Sequence, residues 1–275
     1  MKGIEFSKNQ IATFIAILFH VSGWIGIVFS PYKDWFVSHT PLNLIVMAIL
    51  LFWCQSEKKI GFFGFFLAAF LTGMGAEMIG VNTGRLFGSY QYGTIMGTTF
   101  NKVPWLIGLN WFVVVFCSAS CMQQFQEWVS KKTASSGMEI SAKIASLSLI
   151  IDGAILAVFF DWIMEPVAVK LGFWHWANQE IPLYNYVCWF LISMALLFLF
   201  NKAGFQKRNH FAVHLFIIQS LFFLALRNYR YAVYTDYTSY FLPDGTHYLV
   251  NTPLCYAWIS VVPARGSSPE RGGFL

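Results

Sequence analysis

Seven apolar stretches fill most of the chain between residues 11 and 226: 11–29, 39–54, 60–79, 103–121, 144–162, 186–200 and 210–226. A helix needs about 20 mostly apolar residues, and rarely fewer than about 17, to cross the hydrocarbon core of a bilayer. The second and sixth stretches fall a little short of that limit. Only 11% of the residues are charged, against about 25% in an ordinary soluble domain. In lipid every backbone N–H and C=O must be satisfied internally, which leaves helices as the economical way to fold such runs. The expected architecture is therefore all-α: a polytopic membrane protein with a bundle of about seven transmembrane helices over residues 1–226. A non-spanning tail is expected from 227 to 275, with a turn at Pro243-Asp244-Gly245.

Lysine and arginine placement gives an orientation. With the N-terminus cytoplasmic, the inner segments carry Lys2, Lys8, Lys58, Lys59, Lys131, Lys132, Lys143, Lys202, Lys207 and Arg208. The opposite side carries Lys33, Arg85, Lys102 and Lys170, apart from four arginines in the tail. The positive-inside rule favours that arrangement and accounts for most of the net charge of +5. A multi-pass protein of the cell membrane follows, the inner membrane in a bacterium. The first run is too long for a signal h-region and lacks a small-residue cleavage pattern, so it reads as an uncleaved helix. No basic stretch is interleaved with aromatics in the manner of nucleic-acid binding. The five cysteines show neither CxxC nor Cys/His spacing, so no metal or cofactor is expected.

Against this apolar background the acids stand out. Glu77, Asp152 and Asp161 lie inside apolar stretches, and Glu165 follows one helical turn after Asp161. A carboxylate at membrane depth is expensive unless something there uses or satisfies it, so each is a functional candidate. Asp161 and Glu165, four apart, share a helix face. Two like charges so close in a low dielectric cannot both ionise comfortably, which is the arrangement a general acid with an adjacent base needs. The plainer account is a pair at a helix end facing water, or paired with Lys170 or Arg85. Pro166 is expected to weaken or end that helix and to free backbone carbonyls near the pair. Asp152 lies nine residues before Asp161, on the opposite side of the helix, and is expected to bond to a neighbouring helix.

Two connections are rich in special residues. Residues 80–102 hold five glycines, four aromatics and Arg85, and residues 163–185 hold Trp174, His175 and Trp176. Two spans separate them, so both emerge on one side of the membrane, with Glu77 and Asp161/Glu165 at similar depth. The plainer account of Glu77 is a carboxylate reaching the interface and neutralised by Arg85, but Glu77, Gly80, Gly84, Phe87, Gly88, Tyr90 and Tyr92 together read as a pocket wall, glycine allowing close backbone approach and the aromatics giving flat apolar surface with a polar tip. Trp174, Trp176, Tyr184, Tyr186 and Trp189 read as an interfacial aromatic belt, as ring faces that stabilise a cation, or as both. His20, accompanied by Ser22 and Trp24, is either a packed histidine or part of a site.

At these two segments the chain resembles the membrane-bound carotenoid biosynthesis family, which includes carotenoid 1′,2′-hydratases and bisanhydrobacterioruberin hydratase. The match is carried by Glu77-Met78-Ile79-Gly80-Val81, Thr83-Gly84, Phe87-Gly88, Tyr90 and Tyr92. It continues in Asp161, Glu165-Pro166, Trp174-His175-Trp176, Ile181-Pro182, Asn185-Tyr186 and Trp189. The resemblance covers roughly residues 10–226 and leaves the tail unmatched. It implies addition of water across the terminal C1′–C2′ double bond of an acyclic carotenoid such as lycopene or γ-carotene, without a cofactor, by a protein embedded in membrane lipid.

On that expectation Glu77, Asp161 and Glu165 are the catalytic residues, with interchangeable roles. Tyr90, Tyr92, Arg85, Trp174, Trp176, Asn185, Trp189 and His20 are the substrate-binding candidates. Three other readings compete. A lycopene-type cyclase starts with the same protonation but quenches the cation internally, which needs a site that excludes water. A transporter of a hydrophobic molecule favours acids at mid-membrane and an internal repeat; no repeat is visible, and only Asp152 lies deep. A carotenoid-binding or scaffold protein needs no acid cluster.

Overall fold

The computed structural model describes residues 6–134, 140–229, 238–241 and 247–250. The elements run α1 (Lys8–Phe29), α2 (Lys33–Ser38), α3 (Thr40–Cys54), α4 (Ile60–Thr83), β1 (Tyr90–Tyr92), β2 (Thr99–Phe100), β3 (Val103–Pro104), α5 (Trp105–Ala134), α6 (Ala142–Lys170), β4 (Trp174–Trp176), α7 (Leu183–Lys202), α8 (His210–Asn228), β5 (Thr238–Phe241) and β6 (His247–Val250). The chain divides into two units, residues 1–229 and 230–275. In the second, β5 and β6 pair antiparallel with Thr238 opposite Val250. The turn expected at residues 243–245, and most of the expected tail, lie outside the described residues.

All seven apolar runs form helices, and six of these are long and apolar enough to cross a membrane. The protein is a multi-pass, all-α membrane protein. The sixth run gains three residues at its start and two at its end, so α7 reaches 20 residues. The second does not grow: α3 has 15 residues, a rise of about 22 Å against a core of about 30 Å. Its N-terminal side is extended instead by the separate short helix α2, which the hydropathy pattern did not reveal.

The bundle is organised around α5. Of its most apolar stretch 72% is buried, whereas the corresponding stretches of the other five long helices are 28–39% buried. It packs against α3, α4, α6, α7 and α8. Near the start of α4 and the end of α7, Phe62, Phe65, Phe116, Phe200 and Phe205 interlock edge to face, with ring centroids 5.2–5.7 Å apart. The other ends of α4 and α7 carry Glu77 and Asn185, so this apolar plug and the acid cluster occupy opposite ends of the same helices.

The expectation that Pro166 weakens or ends its helix is corrected: α6 continues through it to Lys170. Proline has no N–H to give to the carbonyl four residues earlier, which here is Trp162. That carbonyl accepts from Arg227 Nη1 at 3.1 Å, and the same guanidinium sits 3.9 Å from the Trp162 ring centroid. A charged donor at the end of α8 thus replaces the missing backbone bond. Asp152 is also corrected: its Oδ2 accepts from Ser148 Oγ at 2.6 Å, one turn back in its own helix, not from a neighbouring one.

The two special connections meet. β1 pairs antiparallel with β4, with Tyr90 opposite Trp176, Gln91 opposite His175 and Tyr92 opposite Trp174. Their pairing holds the C-terminal ends of α4 and α6 on one side of the bundle, as the two intervening spans require.

Arg227→Leu is expected to destabilise the protein by about 1.5–3 kcal/mol, the range for a hydrogen bond to a charged group. In a Pro166→Ala background, where residue 166 supplies its own N–H, the same substitution is expected to cost much less. Equilibrium unfolding in mixed micelles measures both, and equal costs in the two backgrounds would contradict the assignment.

Candidate active site

α4 delivers Glu77, six residues before its last residue, and α6 delivers Asp161 and Glu165, the latter five before its own last residue. All three are buried, Asp161 completely. Together they line one small chamber with Tyr90, Tyr92, Trp111, Trp174, Trp176, Asn185 and Trp189. Its volume is about 20 Å³, enough for about one water molecule.

Each acid meets a different set of donors. Glu77 Oε2 accepts from the hydroxyls of Tyr90 and Tyr92, the latter at 2.7 Å, and Oε1 accepts from Trp111 Nε1 at 3.0 Å. Glu165 Oε2 accepts from Trp174 Nε1 at 3.0 Å and Trp176 Nε1 at 3.1 Å. Asp161 Oδ2 accepts from Asn185 Nδ2 at 2.8 Å, while its Oδ1 is buried with no hydrogen-bond partner among the described residues. Burial, reinforced by the neighbouring Glu77 carboxyl, pushes the Tyr90 and Tyr92 phenols above their ordinary range. Both therefore stay protonated and keep donating to Glu77.

The local backbone explains how β1 reaches Glu77. α4 ends on Gly84 in the left-handed conformation, φ +65°, its N–H bonded to the Gly80 carbonyl, and this reverses the chain. Phe87 also takes a positive φ of 65° and is fully buried. Gly80 is required by close approach: a Cβ there would lie 2.9 Å from the Tyr90 hydroxyl and from a Phe87 ring carbon. The glycine, one turn beyond Glu77, leaves the space through which Tyr90 meets the carboxyl.

The chamber brings together nine of the eleven residues singled out in the sequence. Two lie elsewhere. Arg85 follows the Gly84 cap, where the chain leaves the helix at the surface; its side chain is exposed and its carbonyl accepts from Tyr184 Oη at 2.9 Å. His20 sits on α1, which packs mainly on α2, α3 and α8, and it lines the neighbouring cavity and not the chamber itself. Trp174, Trp176 and Trp189 are 8%, 6% and 4% exposed, so they are interior walls and not an interfacial belt. Among the described residues the salt bridges are Lys59–Glu57 and Arg208–Glu127, neither of them at Asp161 or Glu165.

Sequence reasoning missed Trp111 and Asn110. Trp111 is fully buried, donates to Glu77 and stacks on Trp189 with centroids 3.8 Å apart and planes at 11°. Asn110 precedes it and also lines the chamber. Their signal was a polar residue beside an indole in the middle of the fourth apolar run, hidden by a search that weighted charge alone.

No solved structure matches the chain. Among curated proteins it is similar to bisanhydrobacterioruberin hydratase of Haloarcula japonica, 27% identical over 150 residues. That alignment covers 52% of this chain and 47% of the relative, so the chain spans about half the length of the curated relative it matches. The family model described as "Carotenoid biosynthesis protein" matches residues 36–236, which include every residue lining the chamber. The chain belongs to the carotenoid biosynthesis protein family.

Proposed function

We propose that this protein is a carotenoid hydratase, adding water across the terminal C1′–C2′ double bond of an acyclic carotenoid end group. The observation that carries the reading is the chamber itself: three buried carboxyls in a space sized for about one water, walled by indoles and phenols.

The donor sets divide the labour. Asp161 is the proton donor: it is completely buried, and its Oδ1 is shut off from solvent with no N–H or O–H reaching it among the described residues, the place for a carboxyl proton. Its proton goes to C2′, the π electrons form the new C–H bond, and positive charge develops at the tertiary C1′. The faces of Trp174, Trp176 and Tyr90 and the fixed Glu77 carboxylate stabilise that cation. Water bonds to C1′ and gives a proton to Glu165, which returns it to Asp161 one helical turn away. Atoms balance: an alkene and one water give a tertiary alcohol, and both acids recover their starting state. No cofactor is needed for the sequence. By the lysine and arginine bias the N-terminus is cytoplasmic and the chamber lies near the outer face, where the end of a bilayer-spanning polyene meets water.

A cyclase uses the same first proton but has no place for water at the cation. The room beside the acids therefore favours hydration.

Expression in bacteria that make lycopene or γ-carotene is expected to yield pigments heavier by one water, read by mass spectrometry. A product of unchanged mass would indicate cyclisation, and no new pigment would remove the enzymatic reading. Asp161→Asn and Glu165→Gln are each expected to lower product at least ~100-fold, within the range of general acid–base effects, while membrane insertion persists. Full activity in both would exclude them from the mechanism. Trp111→Phe keeps an aromatic ring opposite Trp189 but removes a donor from Glu77. It is expected to lower turnover roughly 10-fold, from the loss of about 1.4 kcal/mol of stabilisation, with substrate binding unchanged.

A further inference from the structure

A chamber with room for about one water must be refilled after every hydration, and its surroundings differ in what they offer a water molecule. At the far ends of α4 and α7 the phenylalanine plug closes the bundle. On the α1 side a cavity of about 470 Å³ adjoins the chamber and shares Ile107, Asn110, Met164 and Trp174 with it. Its walls are mainly apolar, Leu44, Phe160 and Phe222 among them. Water moving through such a space would give up its hydrogen bonds with few to replace them.

A third space is different. A vestibule of about 550 Å³ is lined by Gln91, Thr94, Thr98, Thr99 and Lys102, all of them exposed. Its frame is fixed. Asn101 and Lys102 take positive φ values of 48° and 69° in the two-residue turn that joins β2 to β3, as a type I′ hairpin requires. Asn82 Nδ2 donates to the Asn101 carbonyl at 3.3 Å and ties that hairpin to α4. The Gly93 N–H donates to the Phe173 carbonyl at 2.8 Å, and a Cβ at Gly93 would collide with the Gly172 carbonyl oxygen, so this wall lies tight against the second connection.

Tyr92 belongs to both the vestibule and the chamber. Its hydroxyl donates to Glu77 Oε2 at 2.7 Å inside the chamber. Yet Tyr92 is half-buried, whereas Tyr90, which does not line the vestibule, is 7% exposed. α4 borders both spaces, with Glu77 in the chamber and Val81, one turn on, in the vestibule. The partition at this point is a single phenol side chain. Having given its one hydrogen to Glu77, the Tyr92 oxygen keeps lone pairs for an O–H that approaches from outside.

We infer that the water consumed at the acids enters through this vestibule and passes the wall at Tyr92. The polar side chains solvate it outside, the Tyr92 oxygen accepts from it at the wall, and a swing of the ring admits it to the carboxyls. No covalent bond is made or broken in the passage. Tyr92 is then a positioning residue with two duties, holding Glu77 and admitting water. The use of that water as a reactant rests on the hydratase reading; its passage is tested without turnover.

The full chain in detergent micelles carries Gln91→Cys or Thr99→Cys, two exposed positions that line the vestibule and not the chamber. Each is blocked with a bulky biotin-bearing methanethiosulfonate, removable with dithiothreitol. Water access is read by hydroxyl-radical footprinting in a short pulse of ¹⁸O-water. Tyr90, Trp111 and Trp176 are expected to take up label before the block and about fivefold less after it, with recovery on reduction. The exposed Tyr32 and Trp128 are expected to stay unchanged. The unsubstituted chain and Asn178→Cys, an exposed position that lines neither space, are treated alike and are expected to keep their label. Chamber residues unlabelled before the block, labelling that survives it at both positions, or an equal fall in the Asn178→Cys control would overturn the proposal. In pigment-producing membranes the same block is expected to lower the hydrated product about tenfold, with the KM for carotenoid unchanged. A footprint that falls in a chain making no hydrated pigment would overturn the hydratase reading only. Hydration at full rate with the footprint unchanged would overturn this inference only.

Discussion

Three carboxyl groups buried in an apolar bundle must find hydrogen-bond donors, because an unpartnered polar group in such surroundings costs several kcal/mol. The β1–β4 ladder answers most of that demand. Tyr90 and Tyr92 from one strand serve Glu77, and Trp174 and Trp176 from the other serve Glu165. Their register alternates the side chains so that both pairs face the same way, and the residues between them, Gln91 and His175, are exposed. Without this two-stranded cap the acids of α4 and α6 would have only Trp111 and Asn185 to meet. The strands are only three residues long, yet the polar interior of the bundle depends on them.

The helices set the rest of the frame. α5 is the one helix whose surface is largely enclosed, and it lends residues to the chamber and to the apolar cavity beside it, with Ile107 and Asn110 standing in the partition between them. α6 carries two of the acids and the proline that follows them. A helix break after Glu165 would let the pair drift apart from Glu77. Arg227 prevents it by taking the carbonyl that Pro166 leaves open. The geometry of the acids is therefore tied to the last turn of α8, far along the chain from either.

The helical bundle was legible because apolar runs near 20 residues have few other outcomes. The side of the membrane shared by residues 80–102 and 163–185 followed from counting spans, and the β1–β4 pairing agrees. The acids were legible for the opposite reason, being rare where they stand. What stayed hidden was whatever depends on close packing instead of composition. Pro166 looked like a terminator because its partner, Arg227, is 61 residues away. Arg85 looked like a counter-ion for Glu77 because it is near in sequence, whereas the Gly84 cap turns it outward. Trp111 resembled any other aromatic of a buried helix, and nothing local announces that its N–H reaches Glu77. His20 was noticed but could not be assigned, since its cavity is formed by helices that meet only in the folded bundle.

The small volume of the chamber has a stereochemical corollary. If the proposed hydration takes place there, Asp161 and Glu165 on one face of one helix, with space for about one water beside them, deliver the new hydrogen and the new oxygen from the same side of the double bond. In heavy water the reaction would then leave deuterium at C2′ in one configuration, joined to C1′ by syn addition. A space open enough to admit bulk solvent would scramble the relation between the two faces, and the indole walls that shape the chamber are what keep it fixed.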